Sequence, residues 1–523
     1  MSERIKVIVI DRENNIEKEL FHDREQALLY TLREGGIILP SLCGSMGKCG
    51  KCQVRFCGYA PFPGQTDRAV ISPDKLREGY RLACTACPGK DCVIETAFEK
   101  ERGIDVVVES RTEDVLREGS LREKEDRDKD GGCGKGQQDV LPEKEKAKGL
   151  AAAVDIGTTT IAVQMIEAWT GHILDTYVCL NPQGSYGMDV ISRIQAGTEG
   201  HGEELRRLVR EALEAGIRRM AENPGDGKQR KLEKIVIAAN TAMGHLFMGY
   251  PVESLGKSPF RPVNIGAVQT DFLGTPAALI PGISAFVGGD IISGLYACGL
   301  CRQTNRVWLF LDLGTNAEMV IGDGRRLACT AAAAGPAFEG KGRYGATGAE
   351  RISAIAYLLE QGLIDKTGLL REPYFETGIE TEIEKPGKKV WVFEEDIRDI
   401  QMAKAAIRAG IYFLMEHLGI KGLEEVEKVY IAGGLGFYLD KKAASRIGLI
   451  PAEWLEKIET MGNTALAGAR LLARELCKED YRAGSGMEVM NCLEKAALKA
   501  ESFQLAEEAS FEKIYIDYMN FGD

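Results

Sequence analysis

The chain carries no surplus of positive charge: 66 Lys and Arg stand against 78 Asp and Glu in 523 residues, a formal net charge of −12. A sequence-independent nucleic-acid binder needs a basic face, so that class is excluded and a small ligand or another protein is the expected partner. A long uninterrupted apolar run is also lacking. The most apolar stretch, GTPAALIPGISAFVGGDIISGLYACGL from Gly274, is broken by Pro276, Pro281, several glycines and Asp290, and no basic flank marks a topology. It reads as a buried strand and helix, with no membrane contact. The opening residues, MSERIKVIVIDRENN, lack the apolar core of a secretory signal, which predicts a cytoplasmic protein. In that reducing compartment the 14 cysteines are not expected to form a disulfide framework.

A chain of this length is too long for one simple core and should divide into several domains. RIKVIVI and IEKELF alternate as strands around a turn at DRENN, EQALLYTLREG reads as a short helix, and a cysteine loop follows, giving an expected domain over 1–98. Residues 99–148 are rich in charge and almost free of aromatics. Such a segment cannot bury enough apolar surface to fold alone and reads as a flexible linker, with Cys133 an incidental thiol. The body beyond it is expected as a first lobe with a middle region over 149–300 and a second lobe over 301–523. It contains a weak internal repeat: GLAAAVDIGTTTIAVQMIEAWTGHIL and RVWLFLDLGTNAEMVIGDGRRL each read as a strand ending in Asp-x-Gly-Thr, a second strand, a Gly-containing turn and a third strand. The fold class is therefore mixed α+β and α/β, multidomain.

Cys43, Cys49 and Cys52 stand in a C-x5-C-x2-C pattern, followed at a distance by Cys84. Three thiolates on one loop and one from elsewhere can surround a small iron-sulfur rhomb. Glycines at 44, 47 and 50 let the backbone wrap closely and aim N–H groups at sulfur. Over about residues 3 to 98 the sequence resembles the [2Fe-2S] ferredoxin domain, which implies a β-grasp fold. A zinc site built from the Cys49/Cys52 and Cys84/Cys87 pairs is the alternative; its separation is long for a ribbon and leaves Cys43 unused. Cys57, Cys87 and Cys92 read as buried or incidental thiols, with Cys87 a substitute candidate for Cys84.

DIGTTT and DLGTN each place a carboxylate at a strand end, then a glycine permitting close backbone approach, then hydroxyl donors: Asp155, Gly157, Thr158, Thr159 and Thr160 in the first, Asp312, Gly314, Thr315 and Asn316 in the second, with Glu318 just beyond. A phosphate clamp needs N–H and O–H groups for the oxygens and a carboxylate for water-bridged Mg2+ or an attacking water. The plain alternative is that these glycines only make tight turns. VEKVYIAGGLGFYL runs as a strand into Gly433, Gly434 and Gly436. Together the three motifs resemble the actin, sugar-kinase and heat-shock-70 superfamily, which binds ATP between two lobes. That resemblance implies that Asp155 positions Mg2+ and Asp312 polarises the hydrolytic water. NPQGSYGMDVISRI, ANTAMGHLFMGYPVESLGKSPFRPV and AAAAGPAFEG read as cleft-lining segments, His245 as a satisfied core or loop histidine with a catalytic base or cobalt ligand as the alternative, and DIQMAKAAIRAGIYFLMEHLGI as a core helix.

A kinase has no need of an iron-sulfur cluster and a plain electron carrier has no need of ATP, whereas uphill electron transfer needs both. Over nearly the whole chain the sequence resembles the reductive activators of corrinoid-dependent methyltransferases. The resemblance is carried by the cysteine loop, DIGTTT, NPQ with YGMDVISRI, NTAMGHL, PFRP, PGISAFVGGDI, DLGTNAE, GPAFEG and AKAAIRAGI. It implies a [2Fe-2S] cluster, ATP and Mg2+ as cofactors, and reduction of a Co(II) corrinoid to Co(I). It also implies a corrinoid (cobalamin-binding) protein as partner, an upstream electron donor, and a second copy of the chain as a further candidate partner. Near the end only Cys477 and Cys492 occur, which excludes the family variant with a C-terminal pair of [4Fe-4S] clusters. Two alternatives remain: an activator of a radical dehydratase, for which Cys298, Cys301 and Cys329 would have to hold a cluster, and a redox-sensing scaffold that only binds nucleotide.

Overall fold

The computed structural model describes residues 4–11, 16–35, 37, 39, 47, 50, 52–96, 108–110, 149–187, 189–222, 227, 230–301, 306–334, 337–338, 346–383, 388–481 and 488–522. Its first sheet follows the alternation of the N-terminal sequence: β1 (Arg4–Asp11), β2 (Ile16–Asp23), β3 (Gln53–Cys57), β4 (Tyr80–Leu82) and β5 (Cys92–Thr96), in the order β2-β1-β5-β3-β4. β1 runs parallel to β5 and antiparallel to β2, and β3 is antiparallel to both its neighbours. The inward residues Val7, Val9, Val54, Phe56 and Ile94 meet Leu28, Leu29 and Leu32 of the helix Leu28–Glu34, making the β-grasp core that the sequence predicts.

The internal repeat is visible as topology. β6 (Gly149–Ile156), β7 (Thr160–Glu167) and β8 (Ile173–Leu180) form an antiparallel meander, and β9 (Lys231–Ala239) runs parallel to β6. Beyond β9 lie β11 (Thr275–Leu279), parallel to it, and the edge strand β10 (Val268–Phe272). In the second half, β12 (Val307–Leu313), β13 (Ala317–Gly322) and β14 (Leu327–Ala332) repeat the meander. After the small hairpin β15 (Ile379–Glu382) and β16 (Lys389–Val392), β17 (Val426–Ala432) runs parallel to β12, β18 (Ile458–Gly462) runs parallel to β17, and β19 (Ala500–Phe503) closes the opposite edge beside β14. Two sheets of one pattern make the α/β, two-lobed actin-like body. The apolar stretch from Gly274 forms β11 and the buried helix Gly289–Ala297, as its prolines and Asp290 predict.

The halves share a core. Helix Thr464–Tyr481, from the second half of the chain, packs on β6 and β9 and against helix Gly289–Ala297. These two helices touch through their backbones: the Ser293 hydroxyl donates to the Ala465 carbonyl at 2.6 Å, and a methyl group at Gly468 would lie 2.0 Å from the Ser293 carbonyl. Within the charged segment 99–148, Val108, Glu109 and Ser110 are seated on the body, Ser110 bridging antiparallel to Gly462; the rest of that segment lies outside the described residues. Gly468→Ala should overpack this crossing by about 1–3 kcal/mol and lower the melting temperature of the body in calorimetry.

Candidate functional site

Both Asp-x-Gly-Thr runs are hairpin turns, β6 into β7 and β12 into β13, closed by the Gly157 N–H on the Thr160 carbonyl and the Gly314 N–H on the Asn316 carbonyl, each at 2.9 Å. The turns face one another, with Thr159 Oγ1 3.4 Å from Thr315 Oγ1. Three successive carbonyls of the first turn are occupied from behind: Asn181 Nδ2 donates to Gly157 at 2.8 Å, the buried Arg193 guanidinium donates to Thr158, and the Asn181 N–H donates to Thr159 at 2.8 Å. Asn240 caps the helix Thr241–Met248 and gives its Nδ2 to Thr158 Oγ1 at 2.9 Å. Two of the segments read as cleft-lining, those beginning at Asn181 and Asn240, therefore buttress the first turn.

Gly433, the first residue after β17, has φ +83°, and a methyl group there would meet the Leu313 carbonyl at 2.5 Å and Asp312 Oδ1 at 2.6 Å. Only glycine lets this third motif close on the second turn. Gly434 has open space around it, and Gly436 packs on Ile431.

Four carboxyls meet between the turns. Asp155 and Asp312 end the two central strands, Glu318 sits opposite Asp312 on β13, and Asp290 lies in the first turn of helix Gly289–Ala297. They keep partial access to solvent, yet burial pushes Asp155 up to about 6 and Asp312 to about 7, the latter also raised by Asp155. Burial and the charges of Asp312 and Asp155 push Asp290 to about 8, and Glu318 is raised well above the usual range by burial, Asp290 and Asp312. Sequence reasoning missed Asp290 as a site residue; its only signal is an acid directly after a Gly-Gly pair at a helix start. Among the described residues no group of three or more acidic, His or Cys side chains converges tightly enough to ligate a metal ion directly.

In the N-terminal domain the Ala83 N–H donates to the Cys52 carbonyl at 2.8 Å, which sets Cys84 beside Cys52. Both are buried, and the Cys84 thiol is pulled down to about 7 by hydrogen bonding with Cys52, against burial and with help from the Gly47 N–H. Gly47 and Gly50 have φ of +72° and +68°; added methyls would strike Thr66 at 2.9 Å and Val70 at 2.5 Å. Paired thiols wrapped by left-handed glycines fit a thiolate-held centre. Cys43 and Cys49 lie outside the described residues. Cys87 is exposed, and burial pushes Cys92 up to about 11.

Cys298 and Cys329 are buried and Cys301 partly so, and burial raises all three thiols. His245 donates from Nδ1 to the Thr241 carbonyl at 2.7 Å and accepts the Val263 N–H at Nε2 at 3.0 Å, a satisfied core histidine whose pKa burial lowers. No helix of the described residues is long and apolar enough to cross a membrane.

Residues 150–303 match the profile of the RACo middle region, 306–350 and 341–523 that of the C-terminal domain of RACo, the ASKHA domain, and 11–89 that of the 2Fe-2S iron-sulfur cluster binding domain. Over 448 residues, 74% of this chain and 72% of the relative, the sequence is 30% identical to the corrinoid activation enzyme RamQ of Eubacterium limosum. It is 25% identical over 442 residues, 71% of this chain and 76% of the relative, to the [Co(II) methylated amine-specific corrinoid protein] reductase of Methanosarcina barkeri. Among solved structures, a reductive activator for a corrinoid, iron-sulfur protein superposes with a TM-score of 0.61 at 24% identity, covering 99% of this chain and 98% of that one, a likeness of fold.

Each carboxyl of the cleft binds its proton more tightly folded than unfolded, so its stabilising contribution is complete below the ordinary value of about 4 and is lost as pH rises through about 6 to about 8. Without nucleotide, the melting temperature of the body should fall between pH 5 and pH 8.5. Asp290→Asn should flatten that fall, and Mg·ATP should stabilise the wild-type protein most at the alkaline end.

Proposed function

This chain belongs to the family of reductive activators of corrinoid proteins, and from that premise we propose that it is an ATP-dependent one-electron reductase returning the cobalt of a corrinoid protein from Co(II) to Co(I). The observation that carries the reading is the union in one chain of a 2Fe-2S domain with two facing Asp-x-Gly-Thr turns. The cluster supplies single electrons. Cys52 and Cys84, with Cys43 and Cys49, would hold it, while Gly47 and Gly50 keep the loop close to the sulfurs.

ATP is needed because of the potential gap. A one-electron couple changes tenfold for about 59 mV, so an acceptor about 180 mV below its donor is reduced only to about 0.1% at equilibrium. Nucleotide binding or hydrolysis between the lobes can favour a state of the complex in which the cobalt is easier to reduce. In that cycle Thr158, Thr159 and Thr160, with Thr315 and Asn316, offer donors to the phosphates, and Gly157 and Gly314 let the backbone approach them. Asp155 would hold the Mg2+ of the nucleotide, and Asp312 would orient the attacking water and accept its proton. Asp290 and Glu318 line the same cleft, where burial and their carboxyl neighbours favour the protonated forms, and a cation-bearing nucleotide would shift them toward the ionised ones. Gly433, Gly434 and Gly436 lie on the adenosine side.

The partner is a corrinoid protein, and an upstream donor must recharge the cluster. Reduced protein with Mg·ATP should convert a Co(II) corrinoid protein to Co(I) in the cobalt absorption spectrum; an unchanged spectrum would falsify the reading. Asp312→Ala should lose the ATP stimulation. Cys84→Ser should lose the visible cluster absorption and electron delivery while still hydrolysing ATP.

A further inference from the structure

The contact between the tether and the nucleotide cleft has no part in the chemistry above. At the end of the edge strand β18, Gly462 bridges antiparallel to Ser110, and the next backbone N–H, of Asn463, donates to the Glu109 carbonyl at 3.0 Å. Gly462 has φ +77°, and any side chain there would begin 2.1 Å from that carbonyl. Val108 packs against the core shared by the two halves, and its carbonyl accepts from Gln164 Nε2 of β7 at 3.5 Å. The short strap 108–110 thus touches strands of both sheets.

Asn463 is also fixed from its other side. Its Oδ1 accepts the Leu466 N–H at 2.8 Å at the start of helix Thr464–Tyr481, which orients the amide, and its Nδ2 donates to Asp155 Oδ2 at 2.9 Å. One residue therefore holds a nucleotide-site carboxylate with its side chain and the tether of the iron-sulfur domain with its backbone.

We propose that Asn463 is a positioning residue that couples the nucleotide site to the tether, the strap Val108–Ser110 and the carboxylate of Asp155 being held or released together. The proposal rests on reading the facing turns as the nucleotide site. Its mechanical consequence follows from chain length. With the strap seated, 11 residues (97–107) separate the ferredoxin-like domain from the body; with it released, 52 residues (97–148) do. Whatever their conformation, those segments span at most about 40 Å and about 180 Å respectively. A change at Asp155 is thereby converted into a change in how far the electron donor can travel.

The test uses the full chain in three variants: Asn463→Ala, which removes the amide from Asp155; Gly462→Ala, which obstructs the strap and keeps that amide; and Val108→Lys, which unseats the strap from its own side. The readouts are backbone hydrogen exchange over 458–466 and the kcat and KM of ATP hydrolysis. Both strap variants should raise exchange over 458–466 and raise the KM for ATP several-fold with little change in kcat. Asn463→Ala should lower kcat/KM by about tenfold or more, the worth of a hydrogen bond to a charged acceptor. Agreement of Val108→Lys with Gly462→Ala separates loss of the strap from local damage to β18. Unchanged exchange in Val108→Lys, or raised exchange with an unchanged KM, overturns the proposal. Failure of the wild-type protein to form Co(I) would instead overturn the corrinoid reading, and the exchange and KM data would still decide the role of the strap.

Discussion

Carboxyls crowded between two hairpin turns are the constraint to which the rest of the body answers. Asp155, Asp290, Asp312 and Glu318 have one another as electrostatic neighbours, and burial raises all four. Such a cluster is tolerable only if the strands that present it cannot relax apart and if protons or a positive ligand neutralise it. The first condition is met by the shared core, where helix Thr464–Tyr481 and helix Gly289–Ala297 cross at Gly468 with no room for a methyl group. The second makes the protein's stability depend on protonation and on what the cleft binds.

The buttressing of the first turn belongs to the same logic. Asn181, Arg193 and Asn240 satisfy its carbonyls and hydroxyl from behind, so the turn is rigid before any ligand is present. Donors held in place in this way need no rearrangement to meet a ligand. Gly433 brings the third motif against Asp312 by the same economy of space. In the N-terminal domain, the hydrogen bond from Ala83 to Cys52 sets two thiols side by side through backbone geometry alone, and Gly47 and Gly50 keep the loop in a path that a side chain would block.

Much of this is legible in the residues. Period-two alternation marks β1 and β2, the repeated Asp-x-Gly-Thr runs mark two sheets of one pattern, and the interrupted apolar stretch from Gly274 reads correctly as a strand and a helix. Less legible were residues whose role depends on what lies opposite them. Asp290 is an ordinary helix-start acid until the fold sets it beside Asp312; Arg193 is a surface-type residue in sequence and is wholly buried in the structure. Asn463 lies 308 positions from Asp155, and no local pattern announces that pair. The charged stretch after residue 98 reads as linker by composition, and composition is blind to three of its residues adding a bridge to the edge of β18.

The sequence by itself determined the local chemistry: which loop carries thiols, which turns carry carboxylate, glycine and hydroxyl in succession, and which segments have the period of a strand or helix. These properties reside in neighbours along the chain. Tertiary structure alone decided which charges share a cleft, how far burial shifts them, what stands behind the turns, and where the tether is fastened. Those depend on distances between residues hundreds of positions apart, and electrostatic and packing energies follow distance in space rather than separation in sequence.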